Sequence, residues 1–282
     1  MNIARTVEDI RSLLFKSPGP VGLVPTMGFL HEGHMSLFNQ ARKDSKTVVG
    51  TIFVNPTQFG PSEDLESYPV NIERDIKLLE SAGVDILFIP TRDVMYPDGF
   101  DTWVEVGELT TRLEGHIRPG HFRGVSTVVA KLFNIVRPSK AYFGQKDAQQ
   151  LLVIKELNKD LNFGIDIVSM PIVREHDGLA MSSRNSYLTS DQRIAASVLY
   201  RSLKTASRIY LTGEKSAGSI RKEIENVLNE EPLASIEYIS LADIKSLCEL
   251  EFVEVECLVS IAVKIGTTRL IDNIVLHPKE LR

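Results

Sequence analysis

Residues 21–54 read VGLVPTMGFLHEGHMSLFNQARKDSKTVVGTIFV, and this stretch determines the fold class. Residues 21–24 are a short apolar run that predicts a strand, and residues 34–44 place their apolar side chains on one helical face. Residues 47–54 are rich in β-branched side chains and predict a second, buried strand. A strand, a helix and a strand in this order predict a right-handed βαβ unit with parallel strands.

The alternation of strands and helices continues along the first part of the chain. Further strands are predicted over residues 85–89, 102–106, 141–143 and 165–173. Further helices are predicted over residues 6–15, 71–82, 126–136 and 147–158, the first of them opened by a capping box. The expected fold class is therefore α/β, with a doubly wound parallel sheet that binds ligands beyond the carboxyl ends of its strands.

The pattern changes between about residues 175 and 188. Beyond that point the sequence predicts one long helix, a second helix and three strand-like runs, over residues 190–211, 216–229, 236–241, 258–265 and 269–276. Helices followed by closely linked strands indicate a smaller α+β domain with a short antiparallel sheet. We therefore expect two domains, residues 1–175 and residues 176–282.

Composition limits the classes of function. The 282 residues include 32 Lys and Arg against 37 Asp and Glu, a net charge of −5, which argues against a nucleic-acid or membrane-surface partner. The two cysteines, Cys248 and Cys257, are too few for a disulfide scaffold or a Cys-rich zinc module. The N-terminus lacks a signal-peptide pattern and no run of about 18 apolar residues occurs, so we expect a cytoplasmic enzyme.

The loop after the first strand, PTMGFLHEGH at residues 25–34, is suited to phosphate. Gly28 and Gly33 allow a tight turn and close approach of a ligand, and the helix that follows points its N-terminal amides at the loop. His31 and His34 could donate hydrogen bonds to phosphate oxygens. The glycine spacing is that of a P-loop, but Lys and Ser/Thr are absent. The alternatives are two histidines exposed in a turn, or a zinc site, for which a third ligand is missing.

A second candidate loop, FVNPTQFG at residues 53–60, follows another strand. Asn55 and Gln58 offer uncharged donors and acceptors for hydroxyl and carboxylate groups. The alternative is an ordinary Asn-Pro turn.

Residues 115–146 contain six Lys and Arg and no Asp or Glu. In an acidic chain, such a stretch is suited to an anionic substrate, and we expect the loop residues Arg118, Arg123 and Lys146 to contact it. Lys146 would act on a phosphate as a point charge, and Gln150 falls one helical turn later, near the same loop.

The last candidate loop is REHDGLAMSSRN at residues 174–185. A glycine-containing loop followed by two hydroxyls and an arginine offers several donors to a triphosphate. A serine-rich loop without a specific function is the alternative.

Taken together, PTMGFLHEGH, FVNPTQF, RPGHFRGV, GQKD with Gln150, and MSSRN resemble the pantoate–β-alanine ligase family in order and spacing. The pattern His31-x-Gly33-His34 is similar to the HIGH-type signature of the nucleotidyltransferase superfamily. Residues 181–184 are similar to its KMSKS-type loop, with Arg184 where Lys is usual. The resemblance implies a Rossmann-like first domain, a homodimer, and ATP-dependent, Mg²⁺-assisted joining of pantoate to β-alanine through pantoyl adenylate.

The resemblance also implies individual roles. Contacts with ATP are implied for Met27, Gly28, Phe29, Leu30, His31, Glu32, Gly33, His34, Gly144, Gln145, Lys146, Asp147, Val173, Met181, Ser182, Ser183 and Arg184. The implied catalytic residues are His31, His34, Lys146 and Arg184, with His34 as the proton donor. The implied pantoate ligands are Asn55, Gln58 and Gln150. Gln58 would also border the β-alanine site. Asp75 is the implied Mg²⁺ ligand, although Arg74 separates it from Glu73.

Two other functions share part of this pattern. Another adenylate-forming or nucleotidyl-transferring enzyme of the superfamily would keep the histidine pair but not Asn55, Gln58 and Gln150 as substrate clamps. A non-catalytic nucleotide-binding regulator would bind ATP without any pantoate-dependent turnover.

Overall fold

The computed structural model describes residues 1–61 and 63–278, and the chain forms two compact units. The first unit is Met1–Pro171 and the second begins at Ile172, a few residues before the division expected at residue 175.

The first unit contains a sheet of six parallel strands in the order β1-β4-β3-β2-β5-β6. The strands are β1 Asn2–Ala4, β2 Val21–Thr26, β3 Thr47–Ile52, β4 Ile86–Phe88, β5 Lys140–Gly144 and β6 Asp166–Met170. The predicted parallel, doubly wound sheet is confirmed.

Helices cover both faces of this sheet. They are α1 Val7–Phe15, α2 Glu32–Asp44, α3 Ile72–Ser81, α4 Arg92–Met95, α5 Glu114–Ile117, α6 His121–Val136 and α7 Ala148–Asp160. Adjacent residues of a strand point to opposite faces. Val49 packs in the cluster that contains α1, α6 and α7, whereas Val48 packs in the cluster that contains α2 and α3. Two apolar cores therefore fix the strands from both sides.

The strand order reverses between β2 and β5. From β2 the sheet runs to β3 and β4 on one side and to β5 and β6 on the other, and β2 pairs directly with both β3 and β5. Loops that leave the carboxyl ends of two strands at such a reversal diverge and open a crevice, where ligands of this fold class bind. The loops after β2, β3 and β5 carry PTMGFLHEGH, FVNPTQF and GQKD, so the topology brings three of the candidate motifs to one edge of the sheet.

Three details of the first unit differ from the sequence predictions. The strand predicted over residues 102–106 is wrong, because this segment has no strand and the Val104 N–H donates to Thr127 Oγ1 at 3.0 Å. The helix predicted from residue 126 begins earlier, at His121. Strand β1 was missed because three residues are too few for a periodic pattern.

The second unit has the predicted α+β composition. Its elements are α8 Ser190–Ala195, α9 Val198–Leu211, α10 Ala217–Asn229, β7 Ala234–Asp243, β8 Cys257–Ile265 and β9 Thr268–Leu276. The strands form an antiparallel sheet in the order β7-β8-β9, which confirms the expected short sheet. The helices and the sheet share one apolar core.

The single helix predicted over residues 190–211 is wrong, because the structure has two helices there. At the break, the Ser197 N–H donates to the Ile194 carbonyl and the Leu199 N–H to the Ala196 carbonyl, both at 3.2 Å. These i→i−3 bonds tighten the backbone into a 3₁₀-like turn and end the regular α-helical ladder. Within the described residues, none of the helices combines the length and the apolar character that crossing a bilayer requires.

Candidate active site

The loop after β2 turns sharply at Gly28 and Phe29, whose φ angles are +89° and +50°. The φ angle of Gly28 favours glycine, and a Cβ there would lie in tight contact, 3.1 Å from Cγ2 of Ile52. The Thr26 hydroxyl accepts the Gly28 N–H at 3.2 Å and donates to the Thr51 carbonyl at 2.6 Å. This hydroxyl fastens the start of the loop to the end of β3.

Asp75, at the start of α3, holds the next part of the loop. Its side chain is fully buried, and its two oxygens accept the Phe29 N–H at 2.7 Å and the Leu30 N–H at 2.9 Å. The Leu30 side chain is buried in the core beneath α2, so only its backbone is available to a ligand. The loop backbone is thus fixed immediately before the two histidines.

His31 and His34 lie together at the N-terminus of α2. Their ring centroids are 4.0 Å apart, and the His31 N–H donates to Nδ1 of His34 at 3.3 Å. Burial is the main cause that lowers the pKa of His34 to about 3, and His31 and Lys146 lower it further while Asp147 opposes them. His34 is therefore neutral at pH 7. Because Nδ1 accepts, the ring proton resides on Nε2, which is a hydrogen-bond donor.

Lys146 comes from the loop after β5, on the other side of the strand-order reversal. It lies in a 3₁₀ turn, Gln145–Asp147, and its Nζ is 3.5 Å from Oδ1 of Asp147. Because β2 and β5 are adjacent parallel strands, the loops at their carboxyl ends lie side by side, and the charge of Lys146 helps to lower the pKa of His34. Gln150 is half-buried on the first turn of α7 and makes no side-chain hydrogen bond within the described ranges.

Gln58 connects the loop after β3 to the loop after β2. Its Oε1 accepts from Nδ2 of Asn55 at 3.0 Å, and its Nε2 donates to Sδ of Met27 at 3.3 Å. The half-buried Gln58 amide is therefore held beside the start of the histidine loop.

Both polar atoms of the Asn55 side chain make hydrogen bonds within the protein. It is 1% exposed, its Nδ2 also donates to the Gly124 carbonyl at 3.2 Å, and its Oδ1 accepts from the hydroxyls of Tyr96 and Thr57 at 2.8 and 3.0 Å. An amide with these partners orients Gln58 and has no group left to offer pantoate. The geometry thus favours a supporting role for Asn55 over the implied role as a ligand.

The N-terminus of α6 supports the same loop. His121 is 8% exposed, and its Nδ1 lies 2.8 Å from the Gln58 carbonyl. A Cβ at Gly124 would lie 2.3 Å from the Thr57 carbonyl oxygen, so glycine is required for this close approach. Burial, followed by the charge of Arg118, lowers the pKa of His121 to about 4. His121 belongs to the motif RPGHFRGV, and the sequence pattern alone indicates no role for it.

Two arginines of the cationic stretch lie beside carboxylates of the protein. Arg118 makes two hydrogen bonds of 2.7 Å to Glu63, and although burial opposes it, this pairing lowers the pKa of Glu63. Arg123 lies 3.7 Å from Glu105. Arg118 is therefore already paired with a carboxylate, whereas the ion pair of Arg123 is longer and exposed. The expectation that Arg118 and Arg123 contact an anionic substrate stays a prediction.

Val173 and residues 181–184 belong to the second unit. The Met181 N–H donates to the Val173 carbonyl at 3.0 Å, and Ser182 caps the 3₁₀ turn Ser183–Tyr187 by accepting the Arg184 N–H at 3.3 Å. These bonds shape the loop locally and leave the Ser182 and Arg184 side chains half-buried at its surface.

The residues before this turn are braced by ion pairs. Arg193 contacts Glu175 at 2.5 Å and Asp177 at 2.6 Å, and Arg174 contacts Asp272 at 2.6 Å. These ion pairs attach residues 174–177, which precede the KMSKS-like residues, to α8 and β9.

The acidic residues do not form a metal cage. No group of three or more His, Cys, Asp or Glu suited to a metal ion occurs in residues 1–61 and 63–278. Glu73 is exposed and Asp75 is buried, since residues two apart on a helix do not face each other. Asp75 is enclosed and accepts two backbone N–H groups, while Glu73 is exposed, so the side chains present do not offer two carboxylates to one Mg²⁺ at this pair.

Known proteins resemble the chain over nearly its whole length. The sequence model of the family described as pantoate-beta-alanine ligase matches residues 2–275. A pantothenate synthetase of Roseiflexus sp. (strain RS-1) is 53% identical over 277 residues, 98% of this chain and 100% of the relative. One from Dehalococcoides mccartyi (strain ATCC BAA-2266 / KCTC 15142 / 195) is 54% identical over 258 residues, 92% of this chain and 96% of the relative.

Solved structures agree with these matches. The pantothenate synthetase of Thermus thermophilus is 44% identical with a TM-score of 0.95, covering 99% of this chain and 100% of that one. The pantoate-beta-alanine ligase of Francisella tularensis, solved with beta-gamma ATP and beta-alanine, is 35% identical with a TM-score of 0.80, covering 98% and 97%. With this similarity and with the histidine, glutamine and lysine loops meeting at one edge of a parallel sheet, the chain belongs to the pantoate–β-alanine ligase family.

Proposed function

We propose that the chain joins the carboxylate of pantoate to the amine of β-alanine, using ATP and releasing AMP and pyrophosphate. The observation that carries the proposal is the hydrogen bond between Gln58 and Met27, which places an amide clamp beside the histidine loop. The helix terminus that we assign to phosphate and the amide that we assign to the hydroxy acid are thus adjacent. The relative solved with beta-gamma ATP and beta-alanine supports the same substrates.

In the first step, a carboxylate oxygen of pantoate attacks the α-phosphorus of ATP. A new P–O bond forms, the bond from the α-phosphorus to the bridging oxygen breaks, and pyrophosphate leaves. The carboxylate is already ionised at neutral pH, so this step needs no general base. It needs in-line positioning and donors aimed at the charge that develops on the phosphate oxygens.

The histidine loop supplies such donors. The backbone N–H groups of the first turn of α2 point out of the helix, and Nε2–H of the neutral His34 adds one donor beside them. His31 holds His34 in the correct tautomer through its backbone N–H. Lys146 adds a positive charge from the loop after β5, and the family resemblance implies a similar charge-neutralising role for Arg184.

Pantoate binding is assigned to Gln58 and Gln150. An amide offers a donor and an acceptor to hydroxyl and carboxylate groups without adding negative charge beside the phosphates. Asn55 and His121 hold Gln58 from its side-chain and backbone ends. We also assign Gln58 to the border of the β-alanine site, because the amine must arrive beside the activated carboxyl.

In the second step, the free amine of β-alanine attacks the acyl carbon of pantoyl adenylate. A C–N bond forms, the C–O bond to the adenylate breaks, AMP leaves with that oxygen, and the amine loses a proton to solvent. AMP is a good leaving group, so positioning is the main requirement.

Mg²⁺ would accompany the ATP phosphates, since Mg²⁺ in such sites is bound mainly by phosphate oxygens and water. When bound, it would neutralise phosphate charge. We further propose that the chain works as a homodimer in the cytoplasm, without a nucleic-acid or membrane partner.

The test is AMP release from ATP, measured with pantoate and β-alanine together and with each alone. We expect full turnover only with both substrates. Pyrophosphate exchange into ATP should require pantoate but not β-alanine. Pyrophosphate exchange that does not depend on pantoate would indicate an enzyme that transfers the nucleotidyl group to another acceptor. ATP binding without any turnover would indicate a non-catalytic regulator.

A further inference from the structure

The acidic residues at the start of α3 could either bind a metal ion or hold the histidine loop in place. The geometry of Asp75 decides between these two roles. Asp75 is the one member of the Glu73–Asp75 pair that is buried, at 0% exposed. Its oxygens accept the N–H groups of Phe29 and Leu30, residues 46 and 45 positions away in the sequence. A buried carboxylate that accepts two consecutive backbone donors fixes the direction of that backbone.

The segment that Asp75 holds is a tight turn in an uncommon backbone conformation. Gly28 and Phe29 have positive φ angles of +89° and +50°, and the N–H groups of Phe29 and Leu30 both donate to the Asp75 carboxylate. Phe29 carries a Cβ in the left-handed region, a conformation that persists only when the surroundings impose it. Asp75 provides this restraint, and it lies 3.2 Å from the position that a Cβ on Gly28 would occupy.

The exposed residue Arg74 contacts both Asp75 and Phe29. Its guanidinium is 3.8 Å from Oδ1 of Asp75 and lies over the Phe29 ring at 5.6 Å. The carboxylate therefore faces two amides and a cation of its own chain. Leaving this position to bind a metal would cost both backbone hydrogen bonds.

We infer that Asp75 is a positioning residue: it locks the Phe29–Leu30 backbone so that His31 and His34 face the nucleotide, and it is not the Mg²⁺ ligand. The inference rests on the proposed function, since it assigns a nucleotide to the histidine loop. It predicts that Asp75 contributes to nucleotide binding even when no metal is present.

The first test is the affinity for AMP in EDTA, measured by calorimetry for the wild-type chain and for Asp75→Asn. Asparagine keeps one acceptor oxygen but points an N–H₂ at the second backbone donor. We expect AMP binding at least about tenfold weaker, the loss of roughly one hydrogen bond. The Mg²⁺ concentration that half-activates pyrophosphate exchange should stay within twofold of the wild-type value.

The matched control is Asp85→Asn. Asp85 also accepts a backbone N–H, that of Val48 at 2.7 Å, and pairs with Arg42 at 2.7 Å, away from the loop. This variant should lose stability without losing AMP affinity, which separates positioning from a general effect on folding. Unchanged AMP affinity in Asp75→Asn, with a raised Mg²⁺ requirement that excess Mg²⁺ rescues, would overturn the inference.

A second measurement uses only the wild-type chain, in case Asp75→Asn does not fold. The amide hydrogens of Phe29 and Leu30 should be protected from exchange, and Mg²⁺ with ATP should leave or increase that protection. Loss of protection on adding Mg²⁺ would show that the carboxylate leaves the loop for the metal. If the wild-type chain showed no pantoate-dependent AMP release, the proposed function would be wrong. The measurements of AMP affinity and amide exchange would still test the role of Asp75.

Discussion

The backbone N–H of His31 donates to Nδ1 of His34 at 3.3 Å, across the first turn of α2. This bond determines which nitrogen of His34 carries the proton. With the pKa of His34 lowered to about 3, the ring is neutral and its Nε2–H is available to a phosphate oxygen. His34 therefore acts as a fixed neutral donor in the free protein, not as an imidazolium.

We expect His34→Ala to lower pantoate-dependent pyrophosphate exchange by about 10²–10³-fold, the usual cost of removing one donor to developing charge. His34→Gln, which keeps a neutral N–H donor, should recover part of this loss. The control is His116→Ala, an exposed histidine on α5, which should behave as wild type. Near-normal exchange by His34→Ala would remove His34 from the mechanism.

Lys146→Ala and Arg184→Ala should each slow the first step more than they weaken ATP binding, because their charges act mostly on charge that develops during transfer. Single-turnover rates of adenylate formation, compared with the Kd of ATP, measure the difference. Lys155→Ala removes an exposed lysine from α7, the helix that follows Lys146, and should change neither quantity. If the variants lost ATP affinity but kept the single-turnover rate of adenylate formation, Lys146 and Arg184 would only bind ATP and would not act on the transition state.

Gln58→Ala and Gln150→Ala should raise the KM for pantoate at least about tenfold, with a much smaller effect on the KM for ATP. Gln58→Ala should also raise the KM for β-alanine. Asn55→Ala should raise the pantoate KM as well, because Gln58 loses the donor that orients it. Gln40→Ala, which removes an amide bonded to Asp44 on α2, is the control. A loss confined to ATP would contradict the assignment of pantoate to these glutamines.

The lowered pKa values of His34 and His121 make stability depend on pH in a defined direction. Both histidines are neutral in the folded chain, with pKa values of about 3 and about 4, and return to the ordinary 6.5 on unfolding. Below about pH 6.5 the two histidines bind protons in the unfolded chain but stay neutral in the folded chain. Their contribution to the free energy of unfolding is therefore fully present above that pH. It falls as the pH drops toward their pKa values in the folded chain.

The free energy of unfolding, measured in urea between about pH 7.5 and pH 5, should therefore decrease toward acid. Each histidine contributes a slope of up to about 1.4 kcal/mol per pH unit. His121→Gln removes one of the two groups and should reduce this slope by about half. Equal slopes in the variant and the wild type would show that His121 is not held neutral in the folded chain.

The sheet and its ligand edge were predictable because they depend on local patterns. Alternating apolar periodicity identified β2, α2 and β3, and a helix that begins beside glycines and histidines indicated an anion site. The carboxyl ends of parallel strands then brought Gln58 and Lys146 to the same edge. The identity of the substrates was predictable only from the family's motifs, because no local pattern of residues specifies it.

The supporting contacts were not predictable, because they join elements far apart in the sequence. Asp75 reaches back 45 positions to Leu30, and His121 reaches back 63 positions to the Gln58 carbonyl. The partners of Asn55, Tyr96 and Gly124, are also distant in the sequence, so the turn sequence alone does not show that the protein itself engages this amide. The helix break after Ala195 also lacks a Pro or Gly signal.

The fate of the pantoate carboxylate oxygens tests the adenylate route itself. If pantoate attacks the α-phosphorus and β-alanine then breaks the acyl C–O bond, one pantoate oxygen must leave with AMP. Pantoate labelled with ¹⁸O in its carboxylate should therefore give AMP that carries one ¹⁸O, detected by mass spectrometry or by the ³¹P shift, and unlabelled pyrophosphate. AMP without ¹⁸O, or label in a released phosphate, would contradict the adenylate route and the roles assigned to His34, Lys146 and Gln58.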